Sequence, residues 1–217
     1  MTSQTPDPLI YVVEIDLPPE DGPRSLATFS RWYANVHAPH LYEAGFTTCT
    51  SYRAVRGGMG IVDIYQAPDW LVFAGERFAR YRQVAAADPH LPLFMAGIAN
   101  RRTPYVAVDG LAAAAPLASD WIALWRFSAG TELFAETQAW LAATGFTARL
   151  LRRTREAPTG GSDRPNAALL IESRSKPLEA LPVDAPQALR AAVVAAEPFA
   201  GYRLYPWPDD ARLMNPG

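Results

Sequence analysis

The chain has a single cysteine, Cys49, a single lysine, Lys176, and three histidines in 217 residues. A lone thiol cannot close an internal disulfide, so no covalent staple is available to the fold. No apolar run approaches the ~20 residues that a membrane-spanning helix needs. The segment from Met1 to Leu9 is polar and contains proline, with neither the basic nor the apolar region of a signal peptide. The expectation is therefore a cytoplasmic protein in a reducing compartment. Charge is scarce as well: 19% of residues are charged, with a formal net charge of −2. That balance offers no electrostatic reason for binding nucleic acid or an anionic membrane surface. Also missing are a Gly-rich phosphate loop, a serine nucleophile elbow, a paired-cysteine motif and a dinucleotide fingerprint. Gly57-Gly58-Met59-Gly60 reads as turn chemistry. With 49% hydrophobic residues, the chain has ample material for a core, and its composition is not that of a disordered chain.

What the sequence does contain is repetition. Leu41-Tyr42-Glu43-Ala44-Gly45-Phe46-Thr47 is answered later in the chain by Leu141-Ala142-Ala143-Thr144-Gly145-Phe146-Thr147, and Arg53 by Arg153. The copies part where chemistry would sit. The first has His37-Ala38-Pro39-His40 before the shared motif, and the second has Thr137-Gln138-Ala139-Trp140. A repeat on this scale decides architecture before any single element does.

Residues 9–17, β-branched and aromatic until Pro18-Pro19, predict a strand. From Pro23 to Ala44, apolar side chains recur every three or four residues (Leu26, Phe29, Trp32, Tyr33, Val36, Leu41), which predicts a helix. Pro39 should kink that helix near His37, and Gly45 should end it. Strands follow at 46–55 and 59–66 around a Gly57-Gly58 hairpin, then a helix at 69–87, an irregular stretch at 88–100 and a strand at 102–108. The second copy predicts strands at 120–127, 146–155, 167–173 and 202–207, with helices at 131–144 and 185–196. A Gly/Pro-rich connection falls at 156–165. Each half thus reads β-α-β-β-α-β, the split βαβ unit. The Ala-rich stretch between the halves gives a division into 1–110, a linker at 111–119, and 120–217.

A four-stranded sheet with helices on one face must cover its other face. Two such units can do so sheet against sheet, as an α+β barrel within one chain. This order, the Trp32-Tyr33 to His37-Ala38-Pro39 stretch and the Gly45-Phe46 that follows together resemble the dimeric α+β barrel superfamily, and within it the EthD-like branch. The motif covers residues 29–53, and the topology covers both halves. The resemblance implies tandem ferredoxin-like repeats packed sheet to sheet. It allows cofactor-free cyclases, dehydratases and other lyases, small monooxygenases, and haem enzymes; the fold alone does not choose among them.

Several side chains are candidates for chemistry. His37 stands where the helix should break, at the mouth of the expected cavity, and an imidazole there moves protons near a pKa of about 6.5. Its plain alternative is a helix-end histidine bonded to a backbone carbonyl. His40, three residues on, suggests a metal with His90, Asp63 or Glu14, but Pro39 disturbs that spacing, so no metal is expected. Glu14 and Asp63 are carboxylates within apolar strands; each would need a partner such as His37, Tyr52 or Arg53 if it faced the cavity. Tyr52 is a candidate hydrogen-bond donor to an enolate. Trp32, Tyr33, Tyr65, Trp121 and Trp125 supply flat apolar surface. Arg149, Arg152, Arg153 and Arg155 read as a solvated strand edge, and Cys49 as a buried structural thiol.

The sequence thus points to a cofactor-independent acid–base enzyme of lyase or cyclase type, acting on a hydrophobic, aromatic or polyketide-like carbonyl compound. His37, Tyr52 and Asp63 would carry the chemistry. Glu14, Trp32, Tyr33, His40, Arg53, Tyr65, Trp121 and Trp125 would line the site. The alternatives are a monooxygenase or haem-dependent relative, and a non-catalytic binder of an apolar metabolite. The chain is expected as a monomer with a pseudo-dimeric barrel or as a homodimer.

Overall fold

The computed structural model describes residues 7–16, 25–57, 60–95, 100–108, 115–117, 119–154, 165–176, 178, 180–193 and 198–206. The eight expected strands form: β1 (Leu9–Ile15), β2 (Thr48–Arg56), β3 (Ile61–Ala67), β4 (Asn100–Ala107), β5 (Trp121–Phe127), β6 (Ala148–Arg153), β7 (Ala167–Ser173) and β8 (Phe199–Tyr205). The helices are α1 (Leu26–Trp32), α2 (Ala38–Ala44), α3 (Glu76–Ala87), α4 (Leu91–Met95), α5 (Thr131–Thr144) and α6 (Gln187–Val193). The expected helix from residue 69 is instead a 3-10 turn over Trp70–Ala74, capped by Asp69, followed by α3. Part of the stretch read as irregular is α4. The Gly/Pro-rich connection and most of the linker lie outside the described residues. Among the described residues, no helix is long and apolar enough to cross a membrane.

All eight strands join one closed antiparallel barrel in the order β1-β3-β2-β8-β5-β7-β6-β4, with β4 returning to β1. Read in fours, the ring runs β4-β1-β3-β2 and then β8-β5-β7-β6. The seams between these sets are β2 with β8, which carries register shifts, and β4 with β6, which pairs Tyr105–Ala107 with Leu151–Arg153.

Strand side chains alternate between the two faces, and here both faces are buried. Ile10, Val12, Val62, Ile64, Tyr105, Ile122, Leu124, Leu170 and Phe199 fill the interior. The interior of an eight-stranded barrel is narrow enough for such side chains to meet across it. Glu14 and Arg126 are ion-paired at 3.0 Å inside the barrel. Their strands, β1 and β5, stand opposite each other in the ring, so the pair ties the two sets of four across the interior. A second buried pair, Arg149 with Glu172 at 2.8 Å, joins β6 to β7. Glu172 also accepts from Ser119, Arg149 donates to the Ala115 carbonyl, and Gln66 receives the Leu117 amide, so the linker seats Leu117 in the interior core.

Outward-facing side chains meet the helices in two separate cores. Leu9, Tyr11, Val13, Tyr65, Phe29, Trp32 and Phe94 pack together on one side. Ala123, Trp125, Leu150, Leu169, Trp140 and Leu189 pack on the other. Both Gly-Phe-Thr motifs end helices with glycine in the left-handed region, Gly45 at φ 111° and Gly145 at φ 67°. At Gly45 the amides of Gly45 and Phe46 return to the Tyr42 and Leu41 carbonyls, a Schellman ending that turns the chain into β2.

Gly201 on β8 is fixed by space rather than by dihedral angle. A Cβ there would lie 2.7 Å from the Arg53 carbonyl across the β2–β8 seam and 2.5 Å from the Phe199 ring. Gly201→Ala should lower the unfolding free energy by about 1–3 kcal/mol, as overpacking does. Gly130→Ala, where a Cβ meets nothing within 4 Å, should stay within about 0.5 kcal/mol of the parent. Urea unfolding of the two variants checks this; equal midpoints would contradict the close seam.

Candidate active site

The site begins with an irregular helix. Ser25 caps α1 by accepting the Thr28 amide at 3.2 Å, and α1 runs straight into a π-helical turn over Tyr33–His37 and then α2. Proline at 39 has no amide hydrogen to continue an ordinary ladder. The kink expected near His37 is replaced by that wider turn, in which the Ala38 amide reaches back to the Tyr33 carbonyl. The turn directs His37 down onto the outer face of the sheet, where it is 5% exposed.

His37 stacks on Trp32 at 4.5 Å between ring centres, with Tyr33 at 5.5 Å and Tyr81 at 6.2 Å. Its Nε2 is 3.2 Å from the Tyr65 hydroxyl, which lies 3.1 Å from Asp63 Oδ2. Asp63 and Tyr65, two residues apart on β3, share the outward face. Asp63 is fully buried, and its Oδ1 and the Ser51 hydroxyl opposite it make no hydrogen bond. His37, Tyr65 and Asp63 form one connected chain of titratable groups.

Burial sets their protonation. Asp63 is pushed up to about 8 because burial penalises its charged form; the nearby Ser51 and Tyr65 hydroxyls pull the other way and lose. His37 is pushed down to about 3, again by burial, with Asp88 opposing and His40 and Arg102 adding to the fall. The Tyr65 phenol is raised well above its ordinary value by burial and by Asp63. Near neutral pH the triad therefore holds a protonated carboxyl and a neutral imidazole. Tyr65 donates to Asp63 Oδ2, which leaves Nε2 to carry the hydrogen toward Tyr65; a protonated Asp63 can donate in return, which reverses both bonds. The titration expected at about 6.5 is displaced downward on His37. The group that ionises near neutrality is Asp63.

A cavity of about 390 Å³ opens beside this chain, between the outer face of the sheet and helices α2, α3 and α4. His37 and Tyr65 reach it together with Tyr11, Phe46, Phe78 and Tyr81, while Arg82 and Arg102 stand at it as cations. Its size and apolar lining are those of a small-molecule site. This cavity is outside the barrel, on the helix-covered face of the sheet.

That placement sorts the other candidates. Trp32 and Tyr33 pack directly on His37, and the Trp32 indole donates to Asp88 at 2.6 Å. Tyr52 lies in the interior core, its hydroxyl donating to the Ser119 carbonyl, on the wrong face of the sheet to meet His37. Glu14 is inside as well, held by Arg126. His40 lines a separate groove with Glu43, Arg77 and Arg80. Arg53 sits on β2 between Ile61 and Tyr202 at the β2–β8 seam. Trp125 belongs to the core under α5 and α6, and Trp121 packs on Tyr202; neither lines this cavity. Tyr81, Arg82 and Arg102 were not singled out from the sequence, because aromatics on a helix ordinarily pack and arginine on a helix face or a strand end is ordinarily solvated.

Among the described residues, no three His, Cys, Asp or Glu side chains gather where they could hold a metal ion. A haem iron needs an imidazole nitrogen or another open axial ligand. Nε2 of His37 is engaged by Tyr65 beneath the stacked Trp32 ring. His40 is in another groove, and His90 pairs with Asp88 at 3.5 Å. His37, the histidine at this cavity, therefore has no free Nε2 for a haem iron.

No family model matches the chain, and no curated protein matches it. Solved structures do match. A chlorite dismutase-like protein aligns with a TM-score of 0.56 at 11% identity, over 96% of this chain and 97% of its own. An anthrone oxidase-like protein aligns with a TM-score of 0.51 at 15% identity, over 94% and 93%. At such identities the likeness is one of fold: a mixed α/β chain with an eight-stranded antiparallel closed barrel.

The two displaced groups act on stability in opposite senses. Between pH 6.5 and about 8 only the folded chain keeps the Asp63 proton, so stability should fall as pH rises. From about 4 to 6.5 the unfolded chain holds the His37 proton and the folded chain the Asp63 proton, and the slopes cancel. Asp63→Asn should abolish the fall above pH 6.5 and uncover a rise with pH below it. Urea unfolding across this range is the check; a wild type that gains stability from pH 6.5 to 8 would contradict the assignment.

Proposed function

We propose that this chain is a cofactor-independent acid–base enzyme that removes a proton adjacent to a carbonyl in a flat, apolar substrate. The observation that carries this is the His37–Tyr65–Asp63 chain ending at an aromatic-lined cavity. Asp63 is buried behind Tyr65, and the cavity touches the relay at its His37 and Tyr65 end.

In the reactive form Asp63 is ionised. A substrate C–H bond breaks, the proton enters the relay at its cavity end, and successive transfers leave it on Asp63. The electron pair moves onto the carbonyl oxygen as an enolate. The three groups titrate as a unit, so the base strength is that of the buried carboxylate, about 8, rather than that of an imidazole held at about 3. The stored proton then returns by the same path. It goes to the alkoxide formed when the enolate closes a ring, or to a hydroxyl leaving as water. Cyclase and dehydratase chemistry both follow from this one step.

A second reading has the anthrone oxidase-like neighbour in its favour. There the same enolate would be oxidised by dioxygen, a methylene becoming a carbonyl while dioxygen is reduced to water. Oxygen consumption in step with substrate loss separates it from the first.

The tandem, EthD-like organisation belongs to this proposal too. Its support is the shared strand order of the two sets of four, the left-handed glycines in both motifs, and the position of the motif histidine at the cavity. The units 1–110 and 120–217 would have diverged, with Thr137 and Trp140 where the first has His37 and His40.

Anthrone, a flat ketone with an acidic methylene, is a direct probe. In deuterium oxide the wild type should accelerate exchange of the methylene protons, followed by proton NMR. The rate should rise with pH through about 8. His37→Gln and Tyr65→Phe should each slow exchange by roughly a hundred- to ten-thousand-fold while still binding the ketone. Exchange no faster than in buffer, or variants equal to the wild type, would end the acid–base reading.

A further inference from the structure

We infer that the natural ligand of this cavity carries an oxyanion, such as a carboxylate, at one end of its aromatic body. The inference deepens the proposed function by naming a substrate class, and it rests on the cavity being the ligand site. It does not depend on any proton being moved there.

The lining supplies the argument. Two arginines and no Asp or Glu stand among the cavity's described lining residues, in a chain whose formal net charge is −2. The cations arrive from opposite walls. Arg82 comes from α3, on the same helix face as Phe78, Tyr81, Ala85 and Ala86. Arg102 comes from β4, paired with Val13 of β1, which also lines the cavity. Both residues are exposed while the aromatic floor beneath them is buried, so charge is concentrated at the mouth. Its field reaches inward, since Arg102 lowers the proton affinity of His37 and of the Tyr81 phenol. Asp88, whose charge acts the other way on both groups, is bound by the Trp32 indole at 2.6 Å and the His90 amide at 2.8 Å.

Guanidinium groups present forked donors that match the two oxygens of a carboxylate, and they bind most strongly where water is partly excluded. An aromatic body in the cavity with its oxyanion at the mouth satisfies both walls. A wholly neutral ligand would make no use of the charge on either guanidinium. Such an arrangement also sets orientation, because the anionic end stays at the mouth and the carbonyl end lies toward Tyr65.

Anilinonaphthalene sulfonate and its neutral parent, N-phenylnaphthylamine, separate charge from shape. In fluorescence titrations at low salt, the full-length wild type should bind the sulfonate about tenfold more tightly than the amine, and added salt should narrow the gap. Arg82→Gln with Arg102→Gln should erase that preference while leaving the amine's affinity within about twofold. Ala86→Trp, which fills the cavity, should weaken both probes. Equal affinities in the wild type, a preference that survives loss of both arginines, or sulfonate binding untouched by Ala86→Trp would each overturn the inference. A wild type that prefers the sulfonate but exchanges no ketone protons would retire the acid–base reading and leave this one standing.

Discussion

A closed ring of eight strands has an interior narrow enough for its own side chains to occupy, and the site described here lies on the other face of those strands. Ile10, Val12, Tyr105, Leu124, Leu170 and Phe199 occupy the space. The Glu14–Arg126 pair crosses it, and Leu117 enters it from the linker. The cavity lined by His37 and Tyr65 lies instead on the outer surface, under the helices. There the packing is looser on one side, where α2, α3 and α4 arch over β1 and β3 and leave a cavity between helix and sheet.

Placing a carboxyl group on that outer face has consequences that run through the site. The Ser51 and Tyr65 hydroxyls do not offset the burial of Asp63, so it stays protonated to about pH 8. A neutral acid can donate, which orders Tyr65 and, through it, the imidazole of His37. The π turn brings that imidazole within reach, and Trp32 holds its plane. Each element therefore has a local cause in the sequence: proline at 39 favours the wide turn, glycine at 45 ends the helix, and the two-residue spacing of Asp63 and Tyr65 points both at the same layer.

Much of this was legible from the residues. The strands, the long helix ending at Gly45, the doubled motif and the singular position of His37 all follow from periodicity and punctuation. The side of the sheet was not legible. In an open sheet alternation separates a wet face from a dry one, but here the interior and the helix layer are both dry. Glu14 and Asp63 therefore look alike in sequence, although one is ion-paired inside the ring and the other lies under α1 and α2. Tyr52 and Tyr65 differ in the same way. A sharper signal was present in β3 itself, where an acid and a phenol stand two residues apart among aliphatic neighbours. Trp125 misled because an aromatic strand residue suits either layer. Arg82 and Arg102 gave no signal because their position at the mouth depends on how α3 lies over β4, a long-range fact.

The account stands on Asp63 being a neutral acid in the folded protein at physiological pH. Infrared difference spectroscopy between wild type and Asp63→Asn reads this directly, because a protonated carboxyl group has a carbonyl stretch distinct from that of a carboxylate. At pH 7 the difference spectrum should contain the protonated band, fading as pH is raised through about 8. A spectrum with only the carboxylate band, from pH 5 upward, would mean that Asp63 is charged, and the relay to His37 could not work as described.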